Sequence, residues 1–444
     1  MFVRLGARVA SAIAWATLAT AVADPAVAAR QPAAHYSESV IYSFHNDSDG
    51  AVPVGGLVQD ASGAFYGVTE LGGSATNCSN NGCGTVYKLT PTGSGYVETV
   101  LHRFVGNKGG AQPLAGLILD AKGALYGTAY RGGGKGCSDG CGLVFKLTPE
   151  HGGKTYTYVV LYSFVGLPGS GKPVSPLVAD ANGNLYLMNQ VGGGGHCYGG
   201  CGGVVKLTPS NSGYTASVVY AFQGGSDGAS PYNNVLSLNS DGSFYAMTRL
   251  GGSASVFTCT GGCGTALLLT PSGGGYTDTV LYAFGQTCSD GLWPQGGLYA
   301  DASGNLFGTT QYGGSASECN GIGNGNVFEL TPNGGTYTES IIHEFGGDPD
   351  GAAPNASLVP DGEGNLFGTT AAGGDGGPVG WGTVYELTNA GLGFSESVAY
   401  SFGQYQGDAE IPSGPLLLGS DGAFYGTTSS GGSLGWGTVY KLTH

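Results

Sequence analysis

The chain has 444 residues, and 88 of them, a fifth, are Gly. Collagen would need Gly at every third position and a disordered chain would lack apolar and aromatic residues, whereas this one is 41% hydrophobic with 26 Tyr and 17 Phe. The formal charge of −15, from 30 acidic and 15 basic side chains, has the wrong sign for binding a phosphate backbone, so no nucleic-acid partner is expected. Gly spread among aromatic and β-branched residues predicts an all-β chain of short strands and tight turns.

Residues 1–23 carry Arg4 and Arg8, then an apolar stretch from Val9 that closes on Ala21-Val22-Ala23 before Asp24. That is the pattern of a secretory signal peptide; the stretch is too short and Ala-rich for a membrane anchor. No membrane span is expected after its removal, and the mature chain is expected to be secreted, extracellular or periplasmic, where disulfides persist. Residues 24–37 are expected to be a flexible tail and 38–444 a single domain.

From residue 60 onward one signature recurs: DASGAFYGVT, DAKGALYGTA, DANGNLYLMN, NSDGSFYAMT, DASGNLFGTT, DGEGNLFGTT and GSDGAFYGTT. Its second aromatic falls at Tyr66, Tyr126, Tyr186, Tyr245, Phe307, Phe367 and Tyr425, a period of about 60 residues that marks a repeat architecture. The first complete unit holds four strand-like runs, GGLVQD (55–60), AFYGVT (64–69), CGTVYKL (83–89) and ETVLHRF (98–104). Seven units of four antiparallel strands predict a seven-bladed β-propeller. An extra ESVIYSF precedes the first unit at 38–44, and the chain stops at GTVYKLTH without such a strand. The N-terminal strand is therefore expected to close the last blade beside 437–443 and remove an exposed edge.

Eight of the ten Cys form close pairs, Cys78/Cys83, Cys137/Cys141, Cys197/Cys201 and Cys259/Cys263, read as local disulfides rather than zinc ligands. Cys288 and Cys319 remain and can pair between two loops of one face. Where the second Cys of a pair begins a strand, the last two units have Trp381 and Trp436, whose buried indoles are expected to plug the same loop.

With GTVYKLTP, DGxxP and FYGTT recurring in fixed order, residues 38–444 resemble the GloVer-type tandem repeat proteins, a family of secreted bacterial proteins. The resemblance implies a secreted, propeller-like repeat protein and carries over neither an activity nor catalytic residues. Many members end in a surface-sorting anchor; this chain ends at His444 on a repeat strand, and covalent or membrane retention is not expected.

Strand alternation puts the Asp-x-x-Gly and Thr-Pro-x-Gly turns on one face and the longer loops, DGxxP and TxxGGxxxxC, on the other, where propeller ligands bind. Repeats supply an internal control: scaffold positions should match among units, and ligand-contacting ones should differ. The column after the strand-ending Thr differs most. It reads Glu70, Tyr130, Gln190, Arg249, Gln311, Ala371 and Ser429, followed by Leu71, Arg131, Val191, Leu250, Tyr312, Ala372 and Ser430. Units one to five are large and polar and units six and seven small, as expected of a groove entering over the last two. Arg131 and Arg249 offer bidentate forks for carboxylate or phosphate in an acidic chain, and the third staple loop adds His196 and Tyr198. Glu70, Tyr130, Arg131, Gln190, Tyr198, Arg249, Gln311 and Tyr312 are the expected ligand-binding residues, and a glycan, acidic or neutral, is the expected ligand.

Two other classes stay open. A polysaccharide lyase would use Arg131 and Arg249 to neutralise a uronate carboxylate and His196 or Tyr130 as base; it is preferred to a hydrolase pairing Glu70 with Asp139 or Asp227. A structural ring binding an extracellular protein is the third. Gly166-Leu167-Pro168-Gly169-Ser170-Gly171-Lys172 imitates a P-loop, but Pro173 replaces its Ser/Thr and the segment is one copy of DGxxP. No cofactor or metal is expected, although Asp49-Gly50, Asp227-Gly228, Asp290-Gly291 and Asp350-Gly351 leave calcium open. His102 and His343 replace a strand Tyr and are expected to be satisfied strand histidines. The protein is expected to be a monomer.

Overall fold

The structure, a computed structural model, describes residues 36–444 except 75, 76, 79, 80, 138, 167–170, 212, 254–258, 260, 288, 315–322, 376–379 and 392. The proposed signal peptide, most of the tail, Cys288 and Cys319 lie outside the described residues.

Ala34–His444 is one compact unit. Seven antiparallel sheets make the blades of a propeller, and the described residues hold no α-helix, only a 3-10 turn at Asn107–Gly109. Blade 1 runs from the innermost strand Ala51–Gln59 through Phe65–Leu71 and Thr85–Thr92 to the outermost Gly95–Arg103. In blades 3, 6 and 7 the innermost strand breaks into two short pieces, as at Gly171–Pro173 and Val178–Ala179. Blade 7 is closed by the N-terminal strand Ser37–Ser43, antiparallel to Thr438–Thr443. The surplus first strand thus supplies the missing last one, starting one residue earlier than expected.

The inner hairpin turns are fixed by their Asp. Asp60 Oδ1 accepts the N–H groups of Ser62 (2.8 Å) and Ala64 (3.1 Å), and Oδ2 accepts the Tyr66 hydroxyl (2.8 Å). Gly63 takes the left-handed φ of 82° that the turn requires. Asp120, Asp180, Asp301 and Asp361 accept the same two backbone N–H groups, with Tyr126 and Tyr186 on Oδ2 of the first two and the amides of Asn305 and Asn365 on Oδ2 of the last two.

Blades adhere through one repeated aromatic contact. Phe44, Phe104, Phe284, Phe345 and Phe402, all buried, meet Tyr87, Phe145, Phe328, Tyr385 and Tyr440 of the next blade edge to face at 5.0–5.3 Å. Such pairs contribute about 0.5–1.5 kcal/mol each beyond area burial.

Beside these contacts four of the seams carry a Tyr–Asp clamp. Tyr42, Tyr220, Tyr282 and Tyr400 donate their hydroxyls at 2.9–3.1 Å to Asp49, Asp227, Asp290 and Asp408. The same Asp accepts a backbone N–H four residues earlier, as from Gln223 and Gln286 at 2.8 Å. Of the four Asp-Gly pairs that left calcium open, Asp49, Asp227 and Asp290 are engaged in these clamps, while Asp350 faces His343 instead of a Tyr.

Around the axis the innermost strands approach almost backbone to backbone. A Cβ on Gly55 (φ 69°) would stand 2.4 Å from the Gly116 nitrogen, and one on Gly414 would stand 2.4 Å from the Gly55 oxygen. Asn233 Nδ2 reaches across, donating to Gln295 Oε1 (2.8 Å) and the Asn355 carbonyl (3.1 Å). Between these strands lies a cavity of about 170 Å³, lined among others by Gly55, Leu114, Gly116, Asn233, Asn355 and Gly414.

Candidate functional site

The registers Ala51↔Leu71, Thr69↔Thr85 and Thr85↔Arg103 bring the long loops of blade 1 to one face. On that face the residue before each DGxxP proline is left-handed in all seven units: Val52, Gln112, Lys172, Ser230, Trp293, Ala353 and Ile411, with φ from 49° to 59°. A non-Gly residue pays about 1–2 kcal/mol there, and a following proline ordinarily favours extended backbone. Each is held by the preceding blade, whose staple-position carbonyl accepts its N–H: Cys83 from Gln112 (2.9 Å), Cys141 from Lys172 (2.7 Å), Cys201 from Ser230 (2.9 Å), Cys263 from Trp293 (2.9 Å), Trp436 from Val52 (2.9 Å).

All four close pairs, Cys78–Cys83, Cys137–Cys141, Cys197–Cys201 and Cys259–Cys263, are disulfides, so the staples fix the strand starts that aim these side chains. A staple confined to its loop does not describe the second Cys of each pair. Cys83, Cys141, Cys201 and Cys263 are buried because each begins a core strand. Cys201 is packed with Phe222, Ala229 and Leu267, and its Sγ accepts the Cys197 backbone N–H at 3.2 Å. These four are scaffold, out of reach of a ligand on the face. Trp381 packs into the core between blades 6 and 7 as expected, but Trp436 is 36% exposed and plugs nothing; its backbone carbonyl alone performs the anchoring.

The left-handed column interlocks with the divergent column read from sequence. Gln112 donates to Glu70 Oε1 (3.3 Å), and Lys172 Nζ lies 4.6 Å from the Tyr130 ring centroid. Tyr130 donates its hydroxyl to Gln190 Oε1 (2.9 Å), and Gln295 donates to Gln311 Oε1 (3.2 Å). The Arg249 guanidinium lies 4.5 Å from the Trp293 ring centroid and 5.9 Å from that of Tyr232, and Tyr312 meets Trp293 edge to face at 5.2 Å. Opposite this arc stand Ala353, Ala371, Ile411 and Ser429, so the small side of the ring lies over blades 6 and 7.

Burial sets the electrostatics. It raises the Glu70 carboxyl, with Arg131 pulling the other way, and it raises the Tyr130 hydroxyl. Burial, then the charge of Arg131, holds the Lys172 ammonium below the usual lysine range. Between the staple loops of blades 1 and 2 opens a cleft of about 970 Å³, lined among others by Glu70, Gln112, Arg131, Lys135 and Asp139. Arg131 pairs with Asp139 across 3.5 Å of exposed surface.

The structure therefore gathers Glu70, Tyr130, Arg131, Gln190, Arg249, Gln311 and Tyr312 around the channel mouth. His196 and Tyr198 are not joined to them. His196 is exposed on its staple loop, its backbone N–H donating to the Gln223 carbonyl, and Tyr198 is fully exposed. No hydrogen bond or ion pair among the described residues links His196 to Tyr130, Arg131 or Arg249. Asp227 is engaged in a seam, which leaves Asp139 as the acid that shares the Glu70 cleft. Gln112, Lys172, Tyr232, Trp293 and Gln295 join the site without having stood out in the sequence. The signal was present: the position before a constant Pro varies as freely as the column after the strand-ending Thr.

Among curated proteins, none matches the chain. It is similar to a putative 6-phosphogluconolactonase from Bacteroides uniformis, with 14% identity and TM-score 0.47 over 80% of this chain and 85% of that one. It is also similar to a periplasmic gluconolactonase of Pseudomonas aeruginosa, with 13% identity and TM-score 0.48 over 78% and 84%. These likenesses are too distant to transfer an activity. Residues 30–260 and 194–377 match the Gloeobacter/Verrucomicrobia repeat family, and the chain belongs to that family.

Proposed function

We propose that this is an exported protein that binds an acidic glycan on its long-loop face, along the arc from Glu70 to Tyr312. The observation that carries this reading is Arg249. Its guanidinium sits against Trp293 and Tyr232 with no carboxylate partner among the described residues, and Arg249 Nε and Trp293 Nε1 are both buried donors without an acceptor. A buried donor left unpaired costs about 1–3 kcal/mol, a cost that a ligand oxygen would remove. Arg supplies a planar fork for a carboxylate, the aromatic rings supply stacking surfaces, and Gln112, Gln190 and Gln311 supply amides for hydroxyls. Four disulfides fit an oxidising compartment, and no helix among the described residues is long and apolar enough to cross a membrane.

A glycan array probed with the wild-type chain and with Arg249→Gln tests the reading. Binding concentrated on uronate-containing glycans and weakened by about tenfold or more in the variant supports it, since a charged hydrogen bond contributes about 1.5–3 kcal/mol. Equal binding of neutral and acidic glycans by both proteins would sink it.

One observation favours turnover as a second reading. Glu70, raised by burial, and Asp139 line the same open cleft, so a hydrolase using Glu70 as acid and Asp139 as its partner fits better than a lyase based on His196. Release of reducing ends from an acidic polysaccharide, abolished in Glu70→Gln, would establish it; binding without product leaves the lectin-like reading alone.

A further inference from the structure

We propose that His343, Asp350 and Glu396, in the seam between blades 5 and 6, form a binding site for a divalent transition-metal ion of the zinc type. The case rests on comparing seams built on one repeated backbone. In four of them a Tyr hydroxyl donates to the seam Asp, and a Glu or Asp from the next blade's outer strand faces the pair: Glu98 beside Asp49, Asp278 beside Asp227, Glu339 beside Asp290, Glu38 beside Asp408. A phenol cannot serve such an ion as an imidazole does. At the fifth to sixth seam the Tyr is replaced by His343 while both carboxylates remain. This is the one seam among the described residues that places a nitrogen and two carboxylates with their ligand atoms within 4.8 Å of one another.

The distances suit an ion as well as the hydrogen bond that His343 and Asp350 make without one. His343 Nε2 stands 3.2 Å from each Asp350 oxygen and 3.9 Å from Glu396 Oε2. A charge-assisted N–H···O bond would be about 2.7–2.9 Å and directed at one oxygen. Ligands at about 2.0–2.2 Å around a tetrahedral ion are separated by roughly 3.3–3.5 Å, so His343 and Asp350 already stand near that spacing, and Glu396, 3.9 Å from the imidazole, would move toward it by a few tenths of an ångström. His343 and Asp350 side chains are 21% and 23% exposed, which gives solvent a way in and leaves a coordination position for water. One imidazole and two carboxylates form a nitrogen and oxygen donor set that suits zinc. A dication would also neutralise two carboxylates that share a partly buried seam.

The test uses the full mature chain, stripped with chelator, and Co²⁺ and Zn²⁺ as probes. Titration with Co²⁺ should produce a visible d–d spectrum that saturates at one equivalent and is displaced by Zn²⁺. His343→Tyr restores the clamp of the sister seams and should fold normally. That variant and Glu396→Gln should each weaken uptake by about tenfold to a hundredfold or more, the loss seen even when a group merely supporting a ligand is removed. The proposal is overturned if no saturable uptake occurs, or if His343→Tyr takes up the same equivalent with unchanged affinity. In either case the triad is only an ion pair.

Discussion

Glu339 offers a direct handle on the seams. Its carboxyl faces Asp290 between blades 4 and 5, with Oε1 buried and lacking a hydrogen-bond partner. Burial, then the Asp290 charge, pushes it up from 4.5 to about 8. The folded chain therefore holds a proton that the unfolded chain has already released at neutral pH. Stability from this group is full below its unfolded value near 4.5 and is lost as pH rises through about 8. At about 1.4 kcal/mol per unit, the shift sets a ceiling of about 5 kcal/mol. Solvent reaching the side chain reduces that to about 1–3 kcal/mol. Glu339→Gln keeps the shape and removes the charge. Urea unfolding, followed by tryptophan fluorescence, should show the variant more stable than the wild type by about 1–3 kcal/mol near pH 8.5, within about 0.5 kcal/mol of it near pH 5, and unchanged in m-value. Equal destabilisation at both pH values would refute the reasoning, because it would mean that ionised Glu339 makes a favourable contact.

Glu38 and Glu98, pushed up to about 7 chiefly by burial, act in the same direction, whereas hydrogen bonds from Ser62 and Tyr66 hold Asp60 low against its burial. Wild-type melting temperature should therefore peak on the acid side, between about pH 4.5 and 6, and a maximum above pH 8 in calorimetry would contradict this. Gly55→Ala forces a Cβ to 2.4 Å from the Gly116 nitrogen at a φ of 69° and should cost about 3 kcal/mol or more in thermal unfolding; a loss under about 1 kcal/mol would mean that the axis is looser than described. Each described disulfide closes a loop of four or five residues, a constraint of about 2 kcal/mol. Reduction should lower the urea midpoint while the far-ultraviolet β-spectrum persists, and complete unfolding at 25 °C would show that the staples hold more than their own loops.

The architecture was legible because the repeat states it seven times: strand count, turn chemistry and the misplaced ESVIYSF are enough to give a closed ring. The divergent column was legible for the same reason, since Glu70, Tyr130, Arg249 and Gln311 stand out against a copied background. What escaped depends on contacts between blades. No local rule places Val52 or Trp293, just before proline, in the left-handed region; a carbonyl from the preceding blade holds them there. The close Cys pairs were legible as bonds, but spacing alone does not show that Cys201 and its counterparts lie in the core while their partners stay in the loop. Lys172 reads as the end of a false P-loop, yet that same geometry turns it over Tyr130. The Asp-Gly pairs resembled calcium turns because the side chain that engages each Asp, a Tyr at Asp49, Asp227 and Asp290 and His343 at Asp350, lies seven or eight residues earlier, on a strand whose inward side only the fold reveals. His196 and Tyr198 stood out through their loop neighbours; both are exposed on that loop, and no hydrogen bond or ion pair among the described residues ties them to Tyr130, Arg131 or Arg249.

The most direct test of acidic-glycan binding is calorimetric titration of the mature chain with an oligouronate and with its methyl ester, in which a methyl group on each carboxyl cancels its charge. The wild type should bind the acid at least about tenfold more tightly than the ester, and Arg249→Gln should abolish that difference while leaving the weaker ester binding intact. Equal affinity for acid and ester in the wild type, or a preference that survives Arg249→Gln, would contradict the assignment.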